Sequence, residues 1–237
     1  MGRKIRSTIL NLIYPRCCPL CHRVLSDQNM LLCNGCRSWV KPASGMRCMK
    51  CGRPVEAAEQ EYCQDCMSFV RIFTQGRGIF LYDQVWKYSI MRFKYFGCRE
   101  YGEFYARSMA VFAGPELRRW RPELIVPVPL HKKKLKQRGF NQSLCLAQWL
   151  GKFTGIPVDD SLVTKIRHTK SQKKLNAVQR RKNLQNAFYV ERNVQVRRIL
   201  VVDDVFTTGS TMDAMAACLL EKGAVQVFFL TVCIVKR

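Results

Sequence analysis

Acidic residues and long apolar runs are both scarce in this chain of 237 residues. Its 17 aspartates and glutamates face 40 lysines and arginines, which gives a formal net charge of +23. No run approaches the roughly 20 apolar residues that a transmembrane helix needs. The short apolar stretch near the N-terminus lacks a small-residue cleavage site, so we expect an amphipathic helix packed on its own domain, with contact to a membrane face as the alternative.

The excess of positive charge is concentrated in one region. Between His131 and Arg198 there are 17 lysines and arginines against 3 acids, a local net charge of +14. An excess of this size indicates either a solvated basic surface or a polyanionic partner, such as nucleic acid, anionic lipid or a phosphorylated small molecule. If that partner is DNA, the basic residues that would contact it are Lys132, Lys133, Lys134, Lys136, Arg138, Lys173, Lys174, Arg180, Arg181 and Lys182.

Cysteine is abundant, and eight of the 13 cysteines form four C-x-x-C pairs. Eleven residues separate each pair from the next, and the surrounding text repeats after thirty residues, with C-x-x-C-[GH]-R in both halves. The repeat predicts two four-cysteine groups, in which the pairs are used sequentially because each half is then self-sufficient. The first group is Cys18, Cys21, Cys33 and Cys36, and the second is Cys48, Cys51, Cys63 and Cys66.

Four thiolates on two tight turns are typical of a closed tetrahedral Zn²⁺ site with a structural role. The surrounding segment has few large apolar residues, so metal would supply much of its folding energy. Disulfides are disfavoured without a secretion signal, and redox chemistry is disfavoured by four copies of the motif. An iron–sulfur cluster is a minor alternative. We therefore predict two structural zinc ions within an N-terminal helix and double zinc ribbon over residues 1–70.

The remainder, residues 71–237, alternates apolar strands with amphipathic helices. FTQGRGIFLYD suggests strands around a turn, RGFNQSLCLAQWLGKFTG a helix, and RRILVVDDV a strand followed by the helix TMDAMAACLLEKG. Near-continuous apolar strands that alternate with helices predict an α/β fold with a mainly parallel sheet flanked by helices.

Two adjacent carboxylates, Asp203 and Asp204, end the apolar run of VVDDVFTTGST. Ligands bind such sheets at the carboxyl ends of their strands. The loop beyond them leads into a helix N-terminus, where backbone N–H groups and hydroxyls make a phosphate cradle. Carboxylates that accept hydrogen bonds from ribose hydroxyls beside such a cradle are suited to a sugar phosphate. The alternative is a purely structural helix cap at a tight turn, which would be the default interpretation if the motif were only D-x-x-T. The loop residues are Thr207, Thr208, Gly209, Ser210 and Thr211.

The same segment, ILVVDDVFTTGST, resembles the phosphoribosyl pyrophosphate (PRPP) motif of type I phosphoribosyltransferases. IVPVPLHKKKLKQRGFNQSLCLA resembles the signature of the ComF/ComFC/GntX competence and DNA-utilisation family, and SQKKLNAVQRRKNLQNAF resembles the basic segment of that family. The family also has an N-terminal double zinc ribbon, so the match extends over nearly the whole chain.

The resemblance implies PRPP with Mg²⁺ as the ligand, and a role for each motif. Asp203 and Asp204 would be the catalytic pair that holds the ribose hydroxyls, and residues 207–211 would hold the 5′-phosphate. Leu130 and His131 match the position of the pyrophosphate loop, and the basic loop after them could close over pyrophosphate. Thr207 stands where 6-oxopurine-salvage members carry an acid, which weakens a hypoxanthine–guanine assignment. No nucleobase hood is evident.

These features lead to three hypotheses for function. The first is a cytoplasmic competence protein that handles incoming single-stranded DNA, with the aromatics of MRFKYF stacking on bases unless they are core residues. The second is an active phosphoribosyltransferase with an unidentified acceptor. The third is an adaptor for a DNA-translocation helicase or membrane channel component, peripheral at the inner membrane. A role in the use of DNA as a nutrient is equally compatible with these residues.

Overall fold

The computed structural model describes residues 15–57, 59–166 and 187–236. Its centre is a four-stranded sheet in the order β1-β6-β5-β2, in which every pairing is parallel. Strands β3 and β4 form a separate antiparallel pair. The strands are β1 Gln75–Leu81, β2 Leu124–Pro127, β3 Val163–Lys165, β4 Phe188–Val190, β5 Arg198–Phe206 and β6 Gln226–Ile234.

Helices cover both faces of this sheet, as predicted from the continuous apolar strands. They are α1 Gln64–Ser68, α2 Gln84–Tyr95, α3 Tyr101–Phe112, α4 Gly114–Trp120, α5 Lys132–Arg138, α6 Gln142–Thr154 and α7 Ser210–Glu221, and a 3₁₀ helix spans Asn34–Trp39. The Asn141 side chain accepts from Ser143 N–H and so begins α6, and Gly155 ends it in the left-handed region. No helix among the described residues is long and apolar enough to cross a membrane.

The sheet divides the core into two clusters, because successive strand residues point to opposite faces. On one face, Leu200 and Val202 of β5 pack with α2, α3 and α6, and Cys18, Cys33 and Cys36 of the first cysteine group belong to this cluster. On the other face, Ile199 and Val201 pack with α7, and the second cysteine group belongs to that cluster. The two halves of the repeat therefore lie against opposite faces of one sheet.

Two local predictions were wrong. FTQGRGIFLYD forms the single strand β1 rather than strands around a turn. Its glycines make room for β6: a Cβ at Gly76 would lie 2.0 Å from the Phe229 ring, and one at Gly78 would lie 2.4 Å from Ile234 Cβ. The basic loop predicted after His131 is the helix α5, which begins where the His131 ring accepts from Lys133 N–H at 3.2 Å.

Candidate functional site

The two adjacent aspartates lie near the carboxyl end of β5, and each has a partner from a helix. Asp203 Oδ1 accepts from the Ser143 hydroxyl at 2.7 Å and from the Asp204 N–H at 2.9 Å. The Asp204 carboxylate pairs with Lys94 Nζ at 2.7 Å. Lys94 belongs to α2, which is far from the aspartates in the sequence. The motif around the aspartates therefore gives no indication that this lysine is part of the site.

The electrostatic environment of this carboxylate pair is unusual. The pKa of Asp203 is raised to about 6, first by burial and then by the Asp204 carboxylate, against the opposing charge of Lys94. Burial alone would lower the pKa of Lys94, but the two carboxylates outweigh it and raise that pKa. Lys94 is therefore a positively charged neighbour of the two carboxylates. In the PRPP interpretation, these carboxylates must bind hydroxyls and Mg²⁺.

The loop after β5 has two kinds of residue. Thr207, Gly209 and Thr211 line a cavity above the aspartates. The side chains of Thr208 and Ser210 are buried instead, with their hydroxyls 2.9 Å apart. The loop then enters α7, whose N-terminus carries the positive end of the helix dipole. The five predicted residues thus comprise the turn after β5 and the first two residues of α7, and three of them face the cavity.

Two buried arginines lie behind this loop, and the sequence interpretation missed them. Arg53 donates to the Thr207 carbonyl at 2.6 Å, and Arg71 donates to the Thr208 carbonyl at 2.7 Å. Both guanidinium groups come from the N-terminal part of the chain, within or just after the second cysteine group. The sequence signal for Arg53 is the C-x-x-C-[GH]-R repeat, in which this arginine directly follows the metal-ligand motif.

The cavity at the aspartates has a volume of about 310 Å³ and a cationic rim. Lys134 and Arg138 of α5 line it with Lys94 and with Lys165 at the end of β3. The pKa of Lys165 is lowered to about 8, by burial and then by Lys134. Burial and Arg138 likewise lower the pKa of Lys134. Crowded cations opposite two carboxylates are suited to a sugar that carries several phosphates.

A second cavity of about 500 Å³ adjoins the first. The two share Pro129, Leu130 and Lys165. The second cavity has an apolar part, which includes Phe140, and polar side chains. Other lining residues are Arg99, Lys132, Leu135, Asn141, Leu144, Gln148, Asp160 and Thr164.

The predicted DNA-contacting residues of α5 face different directions. Lys134 and Arg138 face the aspartate cavity, whereas Lys132 lines the second cavity. Lys133 and Lys136 are exposed and line neither cavity. The predicted residues Lys173, Lys174, Arg180, Arg181 and Lys182 lie outside the described residues. Of the predicted pyrophosphate-loop residues, Leu130 lines both cavities and His131 begins α5.

The MRFKYF segment divides between core and surface. Phe93 is fully buried and packs edge-on against Tyr105 and Phe140, so it belongs to the core. Tyr95 and Phe96 are 46% and 62% exposed, so their rings are accessible at the surface. The Arg138 guanidinium lies 4.7 Å from the Tyr95 ring centroid and donates to its hydroxyl at 2.9 Å.

The eight cysteines of the four pairs form two compact groups. Within each group all four Sγ atoms lie within 4.8 Å of one another, with Cys21 and Cys33 3.7 Å apart and Cys51 and Cys63 3.6 Å apart. Four thiolates around zinc at 2.3 Å would be separated by about 3.8 Å. All 13 cysteines are free thiols. The donor sets therefore fit one tetrahedral thiolate-bound metal each, in the sequential pairing predicted from the repeat.

Comparisons with known proteins match two separate parts of the chain. The family described as "Double zinc ribbon domain" matches residues 9–67, and that described as "Phosphoribosyl transferase domain" matches residues 146–237. "Competence protein F" of Haemophilus influenzae is 31% identical over 83% of this chain and 87% of its own length. "DNA utilization protein YhgH" of Salmonella typhimurium is 32% identical over 91% and 96%.

A third relative, "Competence protein ComFC" of Bacillus subtilis, is 29% identical over 81% of this chain and 79% of its own length. The predicted family and fold class are thereby confirmed. The chain belongs to the family of competence protein F and the DNA utilization protein YhgH, and it joins a double zinc ribbon to a phosphoribosyltransferase-like domain.

Proposed function

We propose that this protein acts in DNA uptake or DNA utilisation, handles incoming single-stranded DNA on the cytoplasmic side, and binds PRPP with Mg²⁺ at the aspartate cavity. The observation that carries the PRPP part is the meeting of Asp203, Asp204 and the loop 207–211 in one cavity with a cationic rim. The relatives' names, which refer to competence and to DNA utilization, support the cellular role.

In this proposal each part of the cavity holds a different part of the ligand. Asp203 and Asp204 accept from the ribose hydroxyls, and their charge attracts the Mg²⁺ that accompanies pyrophosphate. The backbone N–H groups of the loop and the N-terminus of α7 hold the 5′-phosphate. Lys134 and Arg138 reach the pyrophosphate from α5. Lys94 must exchange its contact with Asp204 for one with the ligand, because the ribose hydroxyls need that carboxylate.

Calorimetric titration of the zinc-loaded protein with PRPP and Mg²⁺ tests this site. We expect saturable binding that is lost in the double variant Asp203→Asn, Asp204→Asn. The unfolding midpoint of the variant must show that it is still folded. Unchanged affinity in the folded double variant would overturn the assignment of the site.

The DNA part of the proposal depends on exposed cations and rings next to the cavity. Lys133 and Lys136 are exposed on α5, and Tyr95 and Phe96 are exposed at the end of α2. Cations follow the phosphates of a single strand while bases stack on accessible rings, each stacked base contributing about 1–3 kcal/mol. The same helix thereby presents two lysines to DNA and two other cations, Lys134 and Arg138, to the PRPP cavity.

A pair of double variants separates these two roles. Lys133→Gln with Lys136→Gln should weaken binding of a single-stranded oligonucleotide and lower its salt slope by about 1.4, with PRPP affinity unchanged. Lys134→Gln with Arg138→Gln should weaken PRPP binding. Fluorescence anisotropy across a range of salt concentrations and calorimetry supply the two affinities. Absence of oligonucleotide binding by the wild type at low salt would remove the DNA part of the proposal.

The second candidate function is phosphoribosyl transfer to an acceptor. The cavity that shares Pro129, Leu130 and Lys165 with the PRPP cavity favours it, because an acceptor there would lie beside the ligand. Transfer requires a stabilised pyrophosphate leaving group, and no acid at position 207 is needed for that. Pyrophosphate release from PRPP with candidate acceptors measures it. A block of the second cavity by Leu144→Trp should stop release and leave PRPP binding intact.

A further inference from the structure

The second cysteine group is connected to the phosphate loop through two buried arginines. The Arg53 side chain, 2% exposed, bridges the Asp65 carboxylate at 2.8 Å and the Thr207 carbonyl at 2.6 Å. Asp65 lies between the ligands Cys63 and Cys66. A short chain of contacts therefore leads from the metal ligands to the loop, without passing through solvent.

Arg71 makes a parallel connection. Its Nη1 donates to the Thr208 carbonyl at 2.7 Å and to the Asp213 carboxylate at 3.0 Å, and its Nη2 donates to the Asp65 carbonyl at 3.3 Å. Asp213 is in the first turn of α7 and also accepts from Ile72 N–H at 2.9 Å. Arg71 thus joins the ribbon, the loop and the beginning of α7.

These contacts determine the direction of two peptide groups. In a trans peptide the carbonyl and the following N–H point to opposite sides. Since the carbonyls of Thr207 and Thr208 point back to the arginines, the N–H groups of Thr208 and Gly209 point away from the ribbon. Neither N–H donates to an acceptor among the described residues of the protein. Two donors are therefore left for an anion, as a phosphate cradle requires.

The first half of the repeat lacks this arrangement. The position equivalent to Arg53 is Arg23, which is exposed, and the position equivalent to Asp65 is Gly35, which has no carboxylate. The position equivalent to Arg71 is Lys41, which is also exposed. Arg23 therefore offers a matched control for Arg53 within the same chain.

We infer that Arg53 and Arg71 are positioning residues, through which the second cysteine group, and not the first, holds loop 207–211 in its anion-binding shape. The inference rests on the proposed function only in taking phosphate as the anion. Coupling of this kind is reciprocal, so a phosphate ligand in the loop should also retain the metal of the second group.

Hydrogen exchange of the full-length, zinc-loaded protein tests the loop directly. In Arg53→Lys, the N–H groups of Ser210 and Asp213, which donate to Thr208 Oγ1 and to the Gly209 carbonyl, should exchange at least about tenfold faster. A lysine cannot donate to Asp65 and Thr207 with the fixed fork of arginine, so the loop should open more often. Arg71→Lys should behave alike, and Asp65→Asn is a milder third variant. Arg23→Lys should leave the loop unchanged. Equal exchange in Arg53→Lys, Arg71→Lys and Arg23→Lys would overturn the inference, whether or not PRPP binds.

Zinc release to a chromogenic chelator supplies a second readout. The measured quantity is how far PRPP slows the release from one cysteine group, which a general loss of stability would not make specific to that group. We expect two phases, one for each cysteine group, of which PRPP with Mg²⁺ slows one at least about threefold. Arg53→Lys should abolish this protection, and Arg23→Lys should retain it. Protection of both phases, or of one phase equally in both variants, would contradict the connection. If the wild type binds no PRPP in calorimetry, the proposed function fails, and the exchange experiment still decides the inference.

Discussion

The two cysteine modules differ in what they contact, although their ligand spacings are identical. The first packs on α2 and α3: Ser89 donates to the Pro19 carbonyl, and His22 Nδ1 lies 2.5 Å from the Tyr101 hydroxyl. The second lies on the other face of the sheet and reaches loop 207–211 through Arg53 and Arg71. The first module thus supports helices, and the second supports the site.

The difference between them arises at the residues between the ligands. His22 and Gly52 occupy equivalent positions and both have positive φ, 63° and 72°. A histidine fits at the first position, whereas a Cβ at Gly52 would lie 2.6 Å from the Gly76 carbonyl oxygen of β1. Ligand spacing therefore specifies a metal site in both modules, while the neighbouring residues specify what each module is packed against.

The largest difference in PRPP affinity is expected between two variants that each lack one metal ligand, one variant for each module. We expect Cys63→Ser to weaken PRPP binding at least about 100-fold, or about 2.7 kcal/mol, since a released metal frees Asp65 and with it Arg53. Cys33→Ser should lower the unfolding free energy and leave PRPP affinity within about threefold of the wild type. Calorimetry at a temperature where both variants are folded checks this. Equal losses of affinity would show that the modules are equivalent.

The next largest difference is expected between two glycines that have similar φ angles but different space around them. Gly209 has φ +84°, and a Cβ there would lie 2.7 Å from Arg71 Nη1. Gly97 has φ +74°, and a Cβ there would have no neighbour within 4 Å. Gly97→Ala should lower the unfolding free energy by about 1 kcal/mol through backbone strain alone. Gly209→Ala should cost about 2–4 kcal/mol in urea unfolding, because the clash adds to that strain.

The same pair separates stability from function. PRPP affinity should fall in Gly209→Ala, since Arg71 is displaced from the loop, and stay unchanged in Gly97→Ala. A Gly209→Ala variant with the stability and affinity of Gly97→Ala would show that the ribbon does not confine the loop.

The sequence predicted those parts of the molecule that depend on local patterns. Periodicity identified the strand β5 and the helices α6 and α7, because their apolar residues repeat at the spacing of the element. Cysteine spacing identified both metal-ligand groups, since four ligands with this spacing have few other uses. The order D-D followed by T-T-G-S-T placed a candidate ligand site at the end of a buried strand, where the structure has a cavity.

The parts that the sequence did not predict are those made by distant residues. Lys94 reaches Asp204 across 110 positions of sequence, and Arg53 reaches Thr207 across 154. Neither pair has a local pattern, because the contact exists only after the ribbon and α2 have packed on the sheet. The glycines of β1 suggest a turn for the same reason: the bulky side chains of β6 that require them are far away in the sequence.

The smallest expected effect is on the pH dependence of PRPP affinity. It distinguishes the contribution of the carboxylates from that of the ribbon. Since the pKa of Asp203 is raised to about 6, PRPP affinity should fall as the pH drops through that value, where the carboxyl gains a proton and loses the charge that attracts Mg²⁺. The opposing charge of Lys94 lowers this pKa, so Lys94→Gln should move the midpoint upward. Arg53→Lys should weaken binding at every pH and leave the midpoint where it is.

Calorimetric titrations between about pH 5 and 8 measure these midpoints. Phosphate groups of the ligand also titrate near pH 6, but their contribution is common to all variants, so a difference between variants belongs to the protein. A pH midpoint that moves in Arg53→Lys and stays fixed in Lys94→Gln would reverse the assignment. The ribbon would then act on the charge of the carboxylates, and the aspartates and the loop could no longer be treated as separate parts of the site.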